Sequence, residues 1–316
     1  MAVCSRNCAA LAELYERPIW YFFGDVLLNK LINGVGPTVY FSWAMYRMNQ
    51  MERSRYVAGC KSRKLEKIFN TNPNKESVIS NKNNFNRTFG EFVTRQWCYA
   101  PACDDEQLRA FLERNHRFIL KPLDLSQGIG VKRFETAEVL KDLPGFIQMA
   151  RESNSILEEF ICQHPEMAAL NPSSVNTIRV NTVRDRNGEV HVIAASLRVG
   201  GQSSVVDNFS AGGVQYPIDP RYGIVVGGGV THDGTRDVFY HPSTGKQVLG
   251  FNIPHWDQVV ETVKKAGTIP ENIRYVGWDI AITESGCEMV EGNIGQGVNG
   301  LQLDGIGKYR IILKHQ

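Results

Sequence analysis

The chain has no CxxC pair. Its seven cysteines, at 4, 8, 60, 98, 103, 162 and 287, are odd in number and irregularly spaced, and no His completes a zinc pattern with Cys98 and Cys103. That excludes a disulfide scaffold and a zinc module, and predicts free thiols in a reducing, cytoplasmic setting. Net charge is nearly absent, +2 from 35 Lys and Arg against 33 Asp and Glu, so there is no electrostatic footprint for nucleic acid. No apolar run reaches the ~20 residues of a spanning helix, and the start lacks the apolar core of a signal peptide. Internal repeats and low-complexity tracts are missing. What is present, 42% hydrophobic and 22% charged residues in 316, is an ordinary globular composition with length for about two domains.

The texture changes along the chain. Leu11, Leu14 and Tyr15, then Leu27, Leu28, Leu31 and Ile32, keep helical spacing. Residues 1–80 are therefore expected to form a helical region ahead of a domain over 81–316. Pro18–Met48 is apolar and aromatic but interrupted by Asp25, Lys30 and Pro37. It fits a packed helical hairpin or, alternatively, a peripheral membrane-contacting element. Tyr46–Lys67 is basic, which fits a solvated helix face or a patch for an anionic partner or lipid headgroup. Membrane contact, if made, would thus run through residues 18–67. Asn70–Asn86 reads as a polar loop, Phe89–Tyr99 as helix, and Asp104–Asn115 as a helix capped by Asp104. From residue 117 strands alternate with short helices. NTIRVNTVRD and EVHVIAASLRVG meet at Asn187-Gly188, a hairpin signal. Trp256–Ala266 is an amphipathic helix, and YVGWDIAIT and CEMVEGNIG are two further strands. The class is α+β with an antiparallel-rich sheet in the second half.

Four groups of residues could carry chemistry. Lys121 ends a strand and is followed by the Gly-bearing loop Gly128-Ile129-Gly130, which suits phosphate through backbone N–H groups and an ammonium. It is neither GxxxxGK[ST] nor, at that place, GxGxxG. Glu158, Glu159, Phe160 and Ile161 form a strand end able to hold an adenine edge, with a carboxylate near a ribose; an ordinary edge strand looks the same. Asp279 on one strand of a tight hairpin and Glu291 and Asn293 on the other are hard oxygen donors suited to Mg²⁺. Arg179 lies in a β-branched strand where an unpaired charge is costly, so it faces either a carboxylate or an anionic ligand. Arg198 and the polar loop from Asp207 and Asn208 to Gly212 and Gly213 could close over a ligand.

In that order these groups resemble the ATP-grasp superfamily over about residues 81–300. The wording QHPEMAALNPSSVNTIRVNT, VDNFSAGG and VEGN is most similar to its sugar-transfer-associated, hexapeptide-transferase-linked branch. The resemblance implies an ATP-grasp fold, two α+β subdomains clasping ATP, here with a helical N-terminal extension. It implies that Lys82 and Lys121 are the nucleotide-binding lysines and that Gly128 and Gly130 belong to the lid over the phosphates. Glu158, Glu159, Phe160 and Ile161 would be the adenine hinge, and Glu166 a ribose contact. Asp279, Glu291 and Asn293 match the magnesium ligands, with two ions and Mn²⁺ as an alternative. Arg179 matches the arginine of the ligases' IR strand, and Arg198, Asn208, Gly212 and Gly213 the phosphate-covering loop. The D-alanine ligases carry an Arg two residues before the metal Asp; here Gly277 stands there, so Arg179 or Arg198 is expected to supply the charge.

The implied activity is an ATP- and Mg²⁺-dependent ligase that activates a small-molecule carboxylate as an acyl phosphate and joins it to an amine. No Cys or His side chain is needed. The alternative on the same scaffold is a kinase acting on a sugar or cyclitol hydroxyl, with Asp207 as its candidate base. A non-catalytic adaptor is a third reading, disfavoured by the complete set of metal ligands.

Overall fold

The computed structural model describes every residue except 1, 124–128, 202–211 and 296. Five helices open the chain: α1 (Ala2–Leu14), α2 (Ile19–Asn33), α3 (Pro37–Ser42), α4 (Gln50–Arg53) and α5 (Cys60–Phe69). The apolar spacing read from the sequence is used on one side of α2 only. Phe22, Val26, Asn29 and Asn33 form its buried stripe, and Phe22 and Val26 meet Tyr40, Phe41, Trp43 and Met45 in a local core. α2 stops at Gly34, whose φ of +70° is left-handed. A Cβ on Gly34 would come within 2.9 Å of the Gly59 Cα, so this close crossing needs glycine.

Two short helices follow, α6 (Lys75–Ile79) and α7 (Lys82–Thr88), where a polar loop was expected. One asparagine there caps α7: the Asn81 side chain accepts from the Asn84 N–H. Phe85 and Phe89 then bury against Trp278. The helix expected over Phe89–Tyr99 does not form. Phe89, Phe92 and Val93 fill the core of a sheet described below, and Trp97–Tyr99 leaves as a strand.

The first sheet contains β1 (Trp97–Tyr99), β2 (Arg117–Pro122), β3 (Lys132–Glu135) and β4 (Ser155–Glu159), antiparallel in the order β1-β4-β2-β3. Three helices accompany it, α8 (Asp105–Arg114), α9 (Thr136–Val139) and α10 (Leu143–Glu152). Asp104 and Gln107 form the capping box of α8, so the expected N-cap is observed. Leu108 and Leu112 of α8 and Phe146 and Ile147 of α10 pack on Phe118 and Leu120 of β2.

After α11 (Pro165–Leu170) comes an antiparallel sheet of seven strands: β5 (Thr177–Arg184), β6 (Val190–Val199), β7 (Val214–Asp219), β8 (Ile224–Val225), β9 (Val230–Thr231), β10 (Tyr275–Thr283) and β11 (Gly286–Asn293). The order is β11-β10-β5-β6-β7-β8, with β9 on β7. The period of two divides its faces. Ile178, Val180, Leu197, Trp278 and Ile280 join Val259 and Val263 of α12 (Trp256–Ala266) in one core. The alternate positions carry Arg179, Arg198 and Asp279. At one end this second face is covered by α5 and by α13 (Tyr309–Leu313), through Leu65, Phe69 and Ile312 against Val183 and Tyr275. All seven cysteines are unpaired, as expected.

One buried ionic cluster joins the sheets. Arg95 pairs with Glu158 of β4 at 2.8 Å and Glu288 of β11 at 2.6 Å. Lys121 of β2 reaches Glu158 at 2.5 Å, and Asn86 of α7 donates to it at 2.9 Å. Removing the shared cation leaves two carboxylates buried and under-paired. Arg95→Ala is therefore expected to cost about 3–5 kcal/mol in urea unfolding; a loss under about 1 kcal/mol, the range of an exposed pair, would contradict that role.

Candidate active site

The cleft face of the second sheet is built by register. Asp279 of β10 lies opposite Glu291 on one side and Arg179 on the other. Side chains from β11, β10 and β5 therefore stand in one row. Arg179 grips Asp279 through two nitrogens, Nε toward Oδ1 and Nη2 to Oδ2 at 2.9 Å. Arg198, from β6, donates to Oδ2 at 2.7 Å. Both arginines, expected to supply charge here, place it on Asp279. Gly277, where the D-alanine ligases place arginine, sits between Asn181 and Asn293.

A β-bulge completes the row. Register shifts after Asp279, so that Ile280 faces Met289. Glu288 and Glu291 are three apart and would point to opposite faces of a regular strand. The bulge puts both on the cleft side, opposite Ala281 and Asp279. Asn293, two residues on, donates to Glu291 Oε1 at 3.4 Å.

The two central carboxyls titrate apart. Burial pushes Asp279 up, but Arg179 and Arg198 outweigh it and hold the carboxyl well below the usual carboxylate range. Glu291 is raised, by burial first and then by the Asp279 charge, with which it is in hydrogen-bonding contact. A proton on Glu291 therefore relieves the repulsion that a cation would otherwise relieve. Two carboxyls and an amide, all hard oxygen donors, fit Mg²⁺.

The first sheet is tied to β11 through Arg95, which pairs with Glu288 and with Glu158, the partner of Lys121. Lys82, the first residue of α7, donates to the Pro122 carbonyl at 3.1 Å, next to Lys121. Glu158, expected in the adenine hinge, is buried beneath Lys121 and Arg95. Burial raises its carboxyl, but Arg95 and then Lys121 prevail and hold it well below the usual range. Its place is to hold the lysine. Glu159 accepts from the Gln96 N–H at 2.9 Å, and the Arg117 guanidinium lies 5.2 Å from the Phe160 ring. Glu159, Phe160 and Ile161 line a cavity of about 600 Å³ with Thr94, Cys162 and Glu288. Glu166 is exposed in the first turn of α11 and does not line that cavity. Gly130 and Gly212 have φ of +75° and +90°, which favours glycine at both. Gly213 is buried just before β7. Gly128, Asp207 and Asn208 lie outside the described residues.

Sequence reasoning missed Arg95, Glu288 and Asn86. Arg95 sits in a stretch expected to be helical, and Glu288 is out of phase with Glu291 until the bulge is known. The one available signal was a glutamate inside the apolar strand CEMV.

A protein-family model described as sugar-transfer associated ATP-grasp matches residues 133–308, just over half of the chain. Among solved structures, the ATP-grasp ligase PsnB complexed with a phosphomimetic variant of minimal precursor, Mg and ADP is similar at 16% identity, covering 74% of this chain and 56% of that one, with a TM-score of 0.45. The ADP complex of N5-carboxyaminoimidazole ribonucleotide synthetase is 12% identical over 71% of this chain and 47% of that one, at 0.45. An ATP complex of biotin carboxylase from Campylobacter jejuni is 12% identical over 76% and 46%, at 0.50. The chain spans about half the length of these structures, and at such identities the likeness concerns the fold alone. No curated protein matches the chain at a significant level.

The raised Glu291 gives a pH test. The folded state holds this proton more tightly than the unfolded chain, so its stabilisation is full below the ordinary carboxylate range and lost as pH rises through the raised value. Asp279 has the opposite sign, stabilising at neutral pH and failing in acid. Glu291→Gln, which keeps a donor toward Asp279, is expected to raise the melting temperature of the ligand-free protein near neutral pH. The gain should shrink as pH falls toward the ordinary glutamate value of about 4.3. A variant no more stable than wild type at neutral pH would contradict the shared-proton arrangement.

Proposed function

The chain belongs to the sugar-transfer associated ATP-grasp family, and from that premise we propose that it is an ATP- and Mg²⁺-dependent carboxylate–amine ligase. The observation that carries this reading is the Arg179–Asp279–Glu291 row, with Arg198 on the same carboxylate, together with the Arg95 cluster that ties Lys121 through Glu158 to Glu288 on the strand of Glu291. Asp279, Glu291 and Asn293 would hold the divalent cation, which supplies charge neutralisation on the phosphates. Lys82 and Lys121 bind phosphoryl oxygens, and Phe160 and Ile161, which line the cavity, offer the base an apolar wall.

In the reaction, a substrate carboxylate oxygen attacks the γ-phosphorus and the bond to the ADP oxygen breaks. The amine nitrogen then attacks the acyl carbon, phosphate leaves, and the nitrogen's proton passes to solvent or to the departing phosphate. Catalysis is positioning and charge neutralisation. A hydroxyl kinase would need a general base, which a carboxylate nucleophile does not. Asp279, Glu158 and Glu288 are each tied to arginine or lysine, which leaves that role to Glu291 or to Asp207, the latter outside the described residues.

Product identity tests this. With ATP, Mg²⁺, a panel of carboxylic acids and hydroxylamine, ADP and a hydroxamate should form together. Glu291→Ala should slow this by about 100-fold or more, on the scale of losing a key electrostatic stabiliser. A stable phosphomonoester, or ATP consumption indifferent to Glu291→Ala, would reject the ligase reading.

A further inference from the structure

Outside the cleft, the largest unexplained feature is the outer side of α2. Only one stripe of this helix is packed, while Ile19, Trp20, Leu27, Leu28, Leu31 and Ile32 face solvent, with Trp20 70% and Leu31 75% exposed. Soluble monomers seldom leave so much contiguous apolar surface open. The helix has 15 residues, about 22 Å at 1.5 Å per residue, short of a hydrocarbon core of about 30 Å. Among the described residues no helix is long and apolar enough to cross a membrane. A helix of this kind suits the plane of a bilayer surface, with Trp and Tyr at headgroup depth.

Charge selects the occupant. Arg17 and Lys30 flank the apolar stretch and are exposed, with the Arg17 guanidinium 5.7 Å from the Tyr21 ring. The Gly34–Gly59 crossing sets the end of α2 against the start of α5, and Arg63, Lys64 and Lys67 of α5 are exposed. Residues 1–67 hold ten of the 35 basic residues but five of the 33 acidic ones; Asp25, the acid within α2, is part-buried and paired with Arg53, and Glu13 and Glu16 just before the helix are exposed. A second copy of the chain would bring like charges together, whereas an anionic lipid surface complements them. We propose that α2, together with the basic side of α5, is a docking surface for an anionic bilayer, with α2 lying in the headgroup plane. The proposal goes beyond the ligase reading and does not depend on it.

Co-sedimentation of the full chain with phosphatidylcholine vesicles, with and without about 30% phosphatidylserine, tests it. Pelleting should be at least about 10-fold stronger on the anionic vesicles and should weaken with salt. Brominated acyl chains should quench the tryptophan emission, and Trp20→Phe should remove that quenching. Leu28→Glu with Leu31→Glu, both at exposed positions, should abolish pelleting without moving the unfolding midpoint, and Arg63→Glu with Lys64→Glu should weaken it about 10-fold. The proposal is overturned if folded wild type pellets with neither vesicle or equally with both. It is also overturned if the protein is a dimer that the leucine variant splits and vesicles leave untouched.

Discussion

The candidate site depends on one carboxylate. Asp279 is buried in the middle of a sheet, where an isolated negative charge would cost several kcal/mol. It is kept ionised by Arg179 and Arg198 from the two strands beyond it. Because Asp279 stays charged, the carboxyl of its neighbour Glu291 is pushed up, by burial first and then by that charge. The two arginines act on the row through Asp279.

Arg95 does for the two sheets what Arg179 does for the row. It bridges Glu158 and Glu288, one carboxylate from each sheet. Thr94 adds its N–H and its hydroxyl to Glu288. Through Glu158 the same cluster fixes Lys121. The position of Lys121 is thereby coupled to the strand that carries Glu291, since Glu288 and Glu291 share β11 across one bulge. A buried cluster of this kind is weak evidence for net stability but strong evidence for a defined geometry between the parts it joins.

The strands of the second sheet were legible because period-two alternation is strong in YVGWDIAIT and NTIRVNTVRD, and a charge in such a run must face a partner. Asp279, Glu291 and Arg179 were found on that ground. Their mutual pairing was foreseen only as one of two options, because sequence spacing does not give strand order. Asn70–Asn86 was misread because asparagine signals both loops and helix caps, and Asn81 is a cap. Phe89–Tyr99 was misread because its aromatics serve a distant sheet instead of one helical face. Arg95 and Glu288 were illegible for a similar reason: their partners lie 63 and 193 residues apart in sequence, and a bulge reverses the phase of Glu288.

The account turns on a proton and a metal competing for the Asp279–Glu291 pair. The most direct measurement is calorimetry of a non-hydrolysable ATP analogue with Mg²⁺, repeated in buffers of different ionisation enthalpy. Binding should require the metal and should release protons, most at the acid end of the range, because Glu291 must ionise to serve as a ligand. Uptake that is indifferent to Mg²⁺ and to the buffer, or no uptake by folded protein, would contradict it.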